Sequence, residues 1–119
     1  MIDVKKKNDV LIFSIRESSS KIPFCFELEK SCNNFIDDLT KVLVITSDIE
    51  DFVSYCHINN QNDCIGLINT LLSVKIPVIA AIELGAKSCG LELISACDIR
   101  ICRMDSKFSL QQIYDEIPF

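Results

Sequence analysis

The stretch of sequence that decides the fold spans residues 75–110 and reads KIPVIAAIELGAKSCGLELISACDIRICRMDSKFSL. It contains three β-branched or apolar runs of strand length, and a small-residue helix pattern lies between the first two. The predicted elements are a strand over residues 77–82, a turn over 85–88 with Ser88 as helix N-cap, a helix over 89–96, and strands over 98–102 and 107–110. A helix between strands predicts a crossover connection in one sheet.

The preceding part of the chain continues the same alternation. Residues 10–15 and 41–46 are rich in β-branched side chains and predict strands, and residues 24–39 show apolar spacing typical of a helix. A further helix follows Asp63, with one apolar face, and ends before proline. That apolar face is predicted to contain Ile65, Ile68, Leu71 and Leu72. Alternating strands and helices predict an α/β domain.

Composition bounds the class of protein. The chain has 119 residues, 49% of them hydrophobic, with a mean hydropathy of +0.28, which predicts a single domain over residues 1–119 with a packed core. No apolar run is long enough to span a membrane, and no signal peptide is expected. The net charge of −5 argues against nucleic-acid binding, which needs a basic surface.

The seven cysteines form no Cys-x-x-Cys pair and are odd in number. Most lie in apolar strings, such as the one that ends at Cys102, so we expect small buried side chains in a reducing cytoplasm. Cys56, His57 and Cys64 lack the paired spacing and the fourth ligand of a zinc site, so no metal is expected.

The 75–110 stretch resembles the central signature of the enoyl-CoA hydratase/isomerase (crotonase) superfamily. The matching motifs are PVIAA at residues 77–81, the glycine-containing turn at 85–90, LEL at 91–93 and ACDIRI at 96–101. Residues 42–46, followed by Phe52, resemble more weakly the family's earlier strand and oxyanion segment. The resemblance implies a crotonase-like spiral of strand–strand–helix units. This chain is expected to cover about the first half of such a domain, truncated at the C-terminus.

The resemblance also implies a chemistry. Family members bind acyl-CoA, or carrier-protein, thioesters and pass through an enolate whose oxygen accepts hydrogen bonds from two backbone N–H groups. Matched by position, those donors are Cys56 and Cys89, and Ser54 and Gly90 fall at substrate-binding positions. Glu92 matches the first acid/base position of the hydratases. No cofactor is implied, since coenzyme A is part of the substrate.

Several positions depart from the family pattern. Gln112 stands at the second acid position, and an amide cannot exchange a proton at neutral pH. Tyr55 replaces a glycine in the oxyanion segment, and His57 replaces an aspartate. Even with the family match, Glu92 is equally consistent with an ordinary solvated or paired helix carboxylate.

Three alternatives therefore stay open: a hydratase/isomerase-type enzyme (a lyase or isomerase), a non-catalytic subunit that binds a thioester or a full-length homologue, and a poorly folding gene fragment. The expected partners are the thioester and a second protein chain. That chain is supplied either by a homo-oligomer of the trimer type or by a homologue.

Overall fold

Seven strands and three helices are formed by the residues that the computed structural model describes, which are 2–16, 24–47, 61–83, 85–87 and 89–109. In chain order the elements are β1 (Ile2–Lys7), β2 (Val10–Ile15), α1 (Phe24–Phe35), β3 (Val42–Ser47), α2 (Gln61–Ser73), β4 (Val78–Ile82), β5 (Gly85–Lys87), α3 (Cys89–Ser95), β6 (Ile99–Cys102) and β7 (Lys107–Ser109). The predicted α/β class is confirmed, and β1 and β5 are additional to the predicted elements.

Five strands form the main sheet in the order β1-β2-β3-β4-β6. β1 is antiparallel to β2, whereas β2, β3, β4 and β6 are parallel to one another. A helix lies in each connection between successive parallel strands, as the alternation in the sequence predicts. The carboxyl ends of the four parallel strands therefore lie at one end of the sheet.

One face of the main sheet carries the hydrophobic core. Alternate residues of β2, β3 and β4 are buried there, and the strand register places Phe13 beside Ile45 and Ile45 beside Ala80. The helices α1, α2 and α3 contribute Leu28, Leu71 and Leu93 to the same core. Full burial of a side chain of this size stabilises a protein by roughly 1.5–3 kcal/mol, so this layer holds the helices on the sheet.

The hairpin of β1 and β2 is not predicted from the sequence, because the apolar alternation of its first strand is limited to Ile2 and Val4 and gives way to three lysines. The register pairs Lys7 with Val10, which leaves Asn8 and Asp9 as a two-residue loop. Asn8 has a φ of 57°, a conformation that asparagine tolerates better than most residues and that tight hairpin loops require.

Helix α1 ends at Phe35, before the predicted end at Leu39. The carboxylate of Asp37 accepts hydrogen bonds from the backbone N–H of Leu39 at 2.9 Å and from the hydroxyl of Thr40 at 3.1 Å. Aspartate closes turns in this way, and the turn competes with the helix. A hydrogen bond from the Lys6 ammonium, followed by these two bonds, lowers the pKa of Asp37 to about 2.

Residues 85–87 form a strand, so the prediction of a turn over 85–88 is wrong for the part of that segment that the structure describes. β5 pairs in parallel with β7, and Gly85 lies opposite Lys107. Gly85 has a φ of +155°, and a Cβ at this position would collide with the carbonyl oxygen of Lys107. The pairing depends on residues about twenty positions away in sequence, so a local pattern could not predict it. Ser88, the predicted N-cap, lies outside the described residues.

The apolar face predicted for α2 is only partly correct. Leu71 is buried and Ile68 is half-buried, whereas Ile65 and Leu72 are exposed. Leu72 lies about 100° further round the helix than Leu71 and is exposed, so the buried stripe of α2 is narrower than predicted.

Candidate functional site

The segments that carry the predicted oxyanion donors leave the main sheet side by side. β3 ends at Ser47 and β4 ends at Ile82, and the register of these neighbouring parallel strands pairs Thr46 with Ala81. The chain after β3 enters residues 48–60, which include Cys56, and the chain after β4 continues through β5 to Cys89. Ligand sites in parallel sheets typically lie beyond the carboxyl ends of the strands, and both segments begin there.

Helix α3 is anchored in the core. Leu93, Ile94 and Cys97 are each no more than 5% exposed, and α3 packs against α2 and β5. The exposed hydroxyl of Ser95 donates to the Leu91 carbonyl at 2.8 Å. A short helix with this much burial has a fixed position, which a site built from its backbone needs.

Cys89 and Gly90 form the start of α3, and Gly90 is buried. The N–H groups in the first turn of a helix have no acceptor within the helix, so they are available for an external acceptor. The predicted donor Cys89 and the predicted substrate-binding residue Gly90 therefore lie on one element, beyond the end of β4.

Glu92 follows in the first turn of α3 and is half-exposed. Its neighbour Leu93 is fully buried and Leu91 is partly buried against the core. A carboxylate in this position is reachable from solvent while its helix is held in place. That arrangement is compatible with proton exchange and with an ordinary helix carboxylate alike, so the acid/base role of Glu92 stays a prediction.

Two residues that the sequence interpretation left without a role fix the far end of α3. The backbone N–H of Asp98 donates to the carbonyl of Val78 at 2.9 Å, and the Asp98 carboxylate accepts the N–H of Val78 at 2.8 Å. The Arg100 guanidinium donates to the carbonyl of Cys97 at 2.8 Å and to that of Ile94 at 3.5 Å. A cation at this position satisfies carbonyls that a helix end leaves without partners.

The signal for these contacts is present in the ACDIRI motif, because Asp98 and Arg100 flank Ile99, the first residue of β6. The sequence pattern of a strand does not by itself predict which backbone groups form hydrogen bonds with these two side chains. The pairing of β4 with β6 decides it, and this pairing is non-local.

The remaining predicted site residues, Ser54, Cys56 and Gln112, lie outside the described residues, as do Tyr55 and His57. The structure therefore brings together Cys89, Gly90 and Glu92.

Two of the cysteines for which burial is described behave as predicted and one does not. Burial raises the pKa of Cys32 and of Cys97 to about 11, so both thiols stay protonated at neutral pH. Cys102 is exposed, and its predicted burial is wrong because β6 is an edge strand of the sheet.

Two other kinds of feature are absent from the described part of the chain. Within residues 2–16, 24–47, 61–83, 85–87 and 89–109, no three His, Cys, Asp or Glu side chains cluster in a way that would hold a metal ion. No helix in that part of the chain combines the length and the apolar character that crossing a membrane requires.

Solved structures with a similar fold come from several bacteria. An enoyl-CoA hydratase from Bacillus anthracis has a TM-score of 0.74 and 21% identity, and the match covers 98% of this chain and 52% of that one. An enoyl-CoA hydratase from Mycobacterium avium subsp. paratuberculosis K-10 has a TM-score of 0.76 and 20% identity, and the match covers 92% of this chain and 47% of that one. DspI from Pseudomonas aeruginosa has a TM-score of 0.77 and 20% identity, with 98% of this chain and 51% of that one covered. These matches confirm the predicted crotonase-like fold, and the chain spans about half the length of the structures it matches.

Similarity at the level of sequence complements the structural matches. No curated protein sequence matches the chain. A family model described as enoyl-CoA hydratase/isomerase matches residues 23–114, which is more than half of the chain and includes β3, β4 and α3. The chain belongs to the enoyl-CoA hydratase/isomerase family.

Proposed function

We propose that the chain recognises acyl-CoA or carrier-protein thioesters and acts as a hydratase/isomerase-type enzyme. The observation that carries this proposal is the neighbouring, parallel arrangement of β3 and β4. Their carboxyl ends lie side by side, so the segment bearing Cys56 and the segment bearing Cys89 leave the sheet at the same place. Membership of the family supplies the ligand class.

In the proposed reaction the thioester oxygen accepts hydrogen bonds from the backbone N–H groups of Cys56 and Cys89. As the enolate forms, negative charge moves onto this oxygen and both hydrogen bonds become stronger. Preorganised donors of this kind contribute about 3 kcal/mol each to transition-state stabilisation in other enzymes. Backbone donors place no demand on the side chain, so cysteine at these positions is chemically acceptable.

Glu92 is the proposed acid/base. In hydration it accepts a proton from water while the water oxygen bonds to the β-carbon, and it returns a proton to the α-carbon of the enolate. Because Gln112 cannot take or give a proton, one carboxylate has to carry both transfers. The half-exposed position of Glu92 on an anchored helix supports this role.

A second candidate function is that of a non-catalytic subunit, which binds the thioester or a full-length homologue without turnover. The amide of Gln112 at the second acid position favours it, as does Tyr55, whose side chain stands where the family has glycine. A subunit that binds the thioester shares its ligand with the enzyme and differs from it in leaving the double bond of an enoyl thioester intact.

The test is calorimetric titration of the purified protein with crotonyl-CoA, combined with the ultraviolet absorbance of the conjugated double bond in the same samples. An enzyme binds and consumes the thioester. Glu92→Gln should then bind with unchanged affinity and lose turnover by about 10²–10⁴-fold, the range typical of a general acid/base. Glu29→Gln, which alters an exposed carboxylate on α1, is the matched control and should keep full activity.

Binding without turnover in the unchanged protein would reject the enzyme in favour of the non-catalytic subunit. Absence of binding to both crotonyl-CoA and crotonyl carrier protein, in a sample whose circular dichroism shows folded α/β structure, would reject thioester recognition altogether.

A further inference from the structure

Helix α3 is held on the core by apolar side chains that do not define its rotation. Leu93 and Ile94 are each no more than 2% exposed. Burial of apolar surface is non-directional, so it determines how deeply the helix packs rather than the direction in which its polar side chains point. Glu92 lies between the fully buried Leu93 and the partly buried Leu91, so the rotation of α3 determines where its carboxylate lies.

The position of the Glu92 carboxylate is sensitive to that rotation. A helix with its side chains has a radius of about 5–6 Å, so a rotation of about 10° moves a group on its surface by about 1 Å. In other enzymes a displacement of about 1 Å can lower the rate by about a hundredfold. An acid/base on a helix of seven residues therefore needs a directional contact that fixes the helix.

Arg100 provides a directional contact between α3 and the sheet. The register pairs it with the fully buried Ala80, so its side chain leaves the sheet on the face that carries the helices. The guanidinium donates to the carbonyl of Cys97 at 2.8 Å and, more weakly, to that of Ile94 at 3.5 Å. These carbonyls are three residues apart, so together the two contacts constrain the direction of the helix end as well as its position.

We propose that Arg100 is a positioning residue for Glu92, because it fixes the rotation of α3 on the sheet and with it the direction of the Glu92 carboxylate. Arg100 acts through the helix and touches no reacting atom. As a role in the reaction this rests on the proposed function, whereas the orientation of α3 rests on the hydrogen bonds of Arg100 alone.

Arg100 separates orientation from stability better than Asp98 does. The Asp98 carboxylate pairs with the N–H of the buried Val78, so its loss leaves a donor unpaired in the core. Arg100 is exposed, and water can replace its hydrogen bonds to the two carbonyls. Water is not attached to β6, however, so it satisfies the carbonyls without joining α3 to the sheet. Loss of Arg100 should therefore change the orientation of α3 more than it changes the stability of the protein.

Steady-state hydration of crotonyl-CoA tests the role in the reaction. Arg100→Met keeps a long side chain and removes its donors, so kcat should fall by about 10–100-fold. KM should stay within about twofold, because an acid/base acts in the chemical step. Arg100→Lys should recover part of the lost kcat, since an ammonium is a point donor that can reach one carbonyl. Arg103→Met is the matched control, because Arg103 pairs with Asp105 between exposed groups, and it should keep full activity.

Nitrogen–proton correlation spectra test the orientation of α3 without any turnover. The amide signals of Gly90 and Glu92 come from the end of α3 opposite Arg100. They should move or broaden in Arg100→Met, because a helix that samples several orientations places these amides in changing surroundings. In Arg100→Lys they should return toward their original positions. The signals of Phe13 and Ile45, in the core strands, should be the same in every variant, and the urea midpoint of Arg100→Met should stay close to that of Arg103→Met.

In an active protein, three results would overturn the inference. They are a kcat of Arg100→Met equal to that of Arg103→Met, a loss of kcat no larger than the loss of folded protein, and no recovery in Arg100→Lys. An unchanged protein without turnover would instead reject the proposed enzyme, and the spectra would then decide the inference separately. Signals of Gly90 and Glu92 that stay in place in Arg100→Met would overturn it, and signals that move would uphold Arg100 as the residue that orients α3.

Discussion

Replacing Asp98 with alanine should lower the free energy of unfolding by about 2 kcal/mol. The Asp98 carboxylate accepts the N–H of Val78 at 2.8 Å, and Val78 is 1% exposed. Removing the carboxylate leaves the N–H of this buried residue without its partner. Hydrogen bonds to charged groups contribute roughly 1.5–3 kcal/mol, and a buried donor left unpaired costs about 1–3 kcal/mol. These two ranges describe the same loss and are not added.

Urea denaturation followed by circular dichroism measures this loss. The midpoint should fall while the slope stays unchanged, which identifies a change in stability without a change in the surface exposed on unfolding. Asp98→Asn keeps a carbonyl oxygen as acceptor and should lose about half as much. Asp105→Ala is the control, because Asp105 is exposed and its 3.3 Å ion pair with Arg103 is between exposed groups. Pairs of this kind are worth about 0–1 kcal/mol.

A loss below about 0.5 kcal/mol for Asp98→Ala would refute the reasoning, since it would mean that the Val78 N–H finds an equivalent partner without the carboxylate. Hydrogen exchange at the Val78 amide gives an independent check. Its protection should drop in Asp98→Ala by more than that of the Ala80 amide, which lies further along β4.

Two further outcomes follow from the geometry. Gly85→Ala should separate β5 from β7, because its Cβ would meet a backbone carbonyl. The free energy of unfolding should fall by more than the ~0.5 kcal/mol that bounds most surface changes, and a urea midpoint equal to that of the unchanged protein would contradict this. The pKa of Asp37 is depressed to about 2, below its unfolded value near 4. The ionised carboxylate therefore stabilises the folded protein above pH ~4, and this stabilisation is lost as the pH falls toward 2. The urea midpoint of Asp37→Asn should accordingly show a smaller fall over that pH window than the unchanged protein does, and parallel pH profiles would exclude the effect.

The central strands could be predicted because their side chains are apolar on both faces. β2, β3 and β4 have β-branched and apolar runs that the sequence displays directly, and each observed strand begins and ends within one residue of its prediction. Runs of this kind are typical of strands in the middle of a parallel sheet. The family motif over residues 75–110 then placed Cys89, Gly90 and Glu92 on a helix after β4, where the structure has them.

The edges of the sheet could not be predicted in the same way. β1 is polar because it lies at an edge, so Lys5, Lys6 and Lys7 conceal a strand that only its pairing with β2 reveals. β6 was correctly predicted as a strand, but the burial of Cys102 was not correct, because burial depends on which neighbour covers a strand. Edge position is a property of the whole topology, and local sequence carries little information about it.

The Asn8 turn predicts an order of assembly for the chain. β1 and β2 are joined by two residues, so their contact closes a very small loop, whereas each parallel pairing must first close a connection that contains a helix. The entropy lost on closing a loop rises with its length, and short hairpins form within microseconds. In a pre-formed hairpin one edge of β2 is already paired with β1, so β3 can pair only with the other edge of β2. We therefore expect the sheet to grow from the lysine-bearing strand toward β6 as the chain folds.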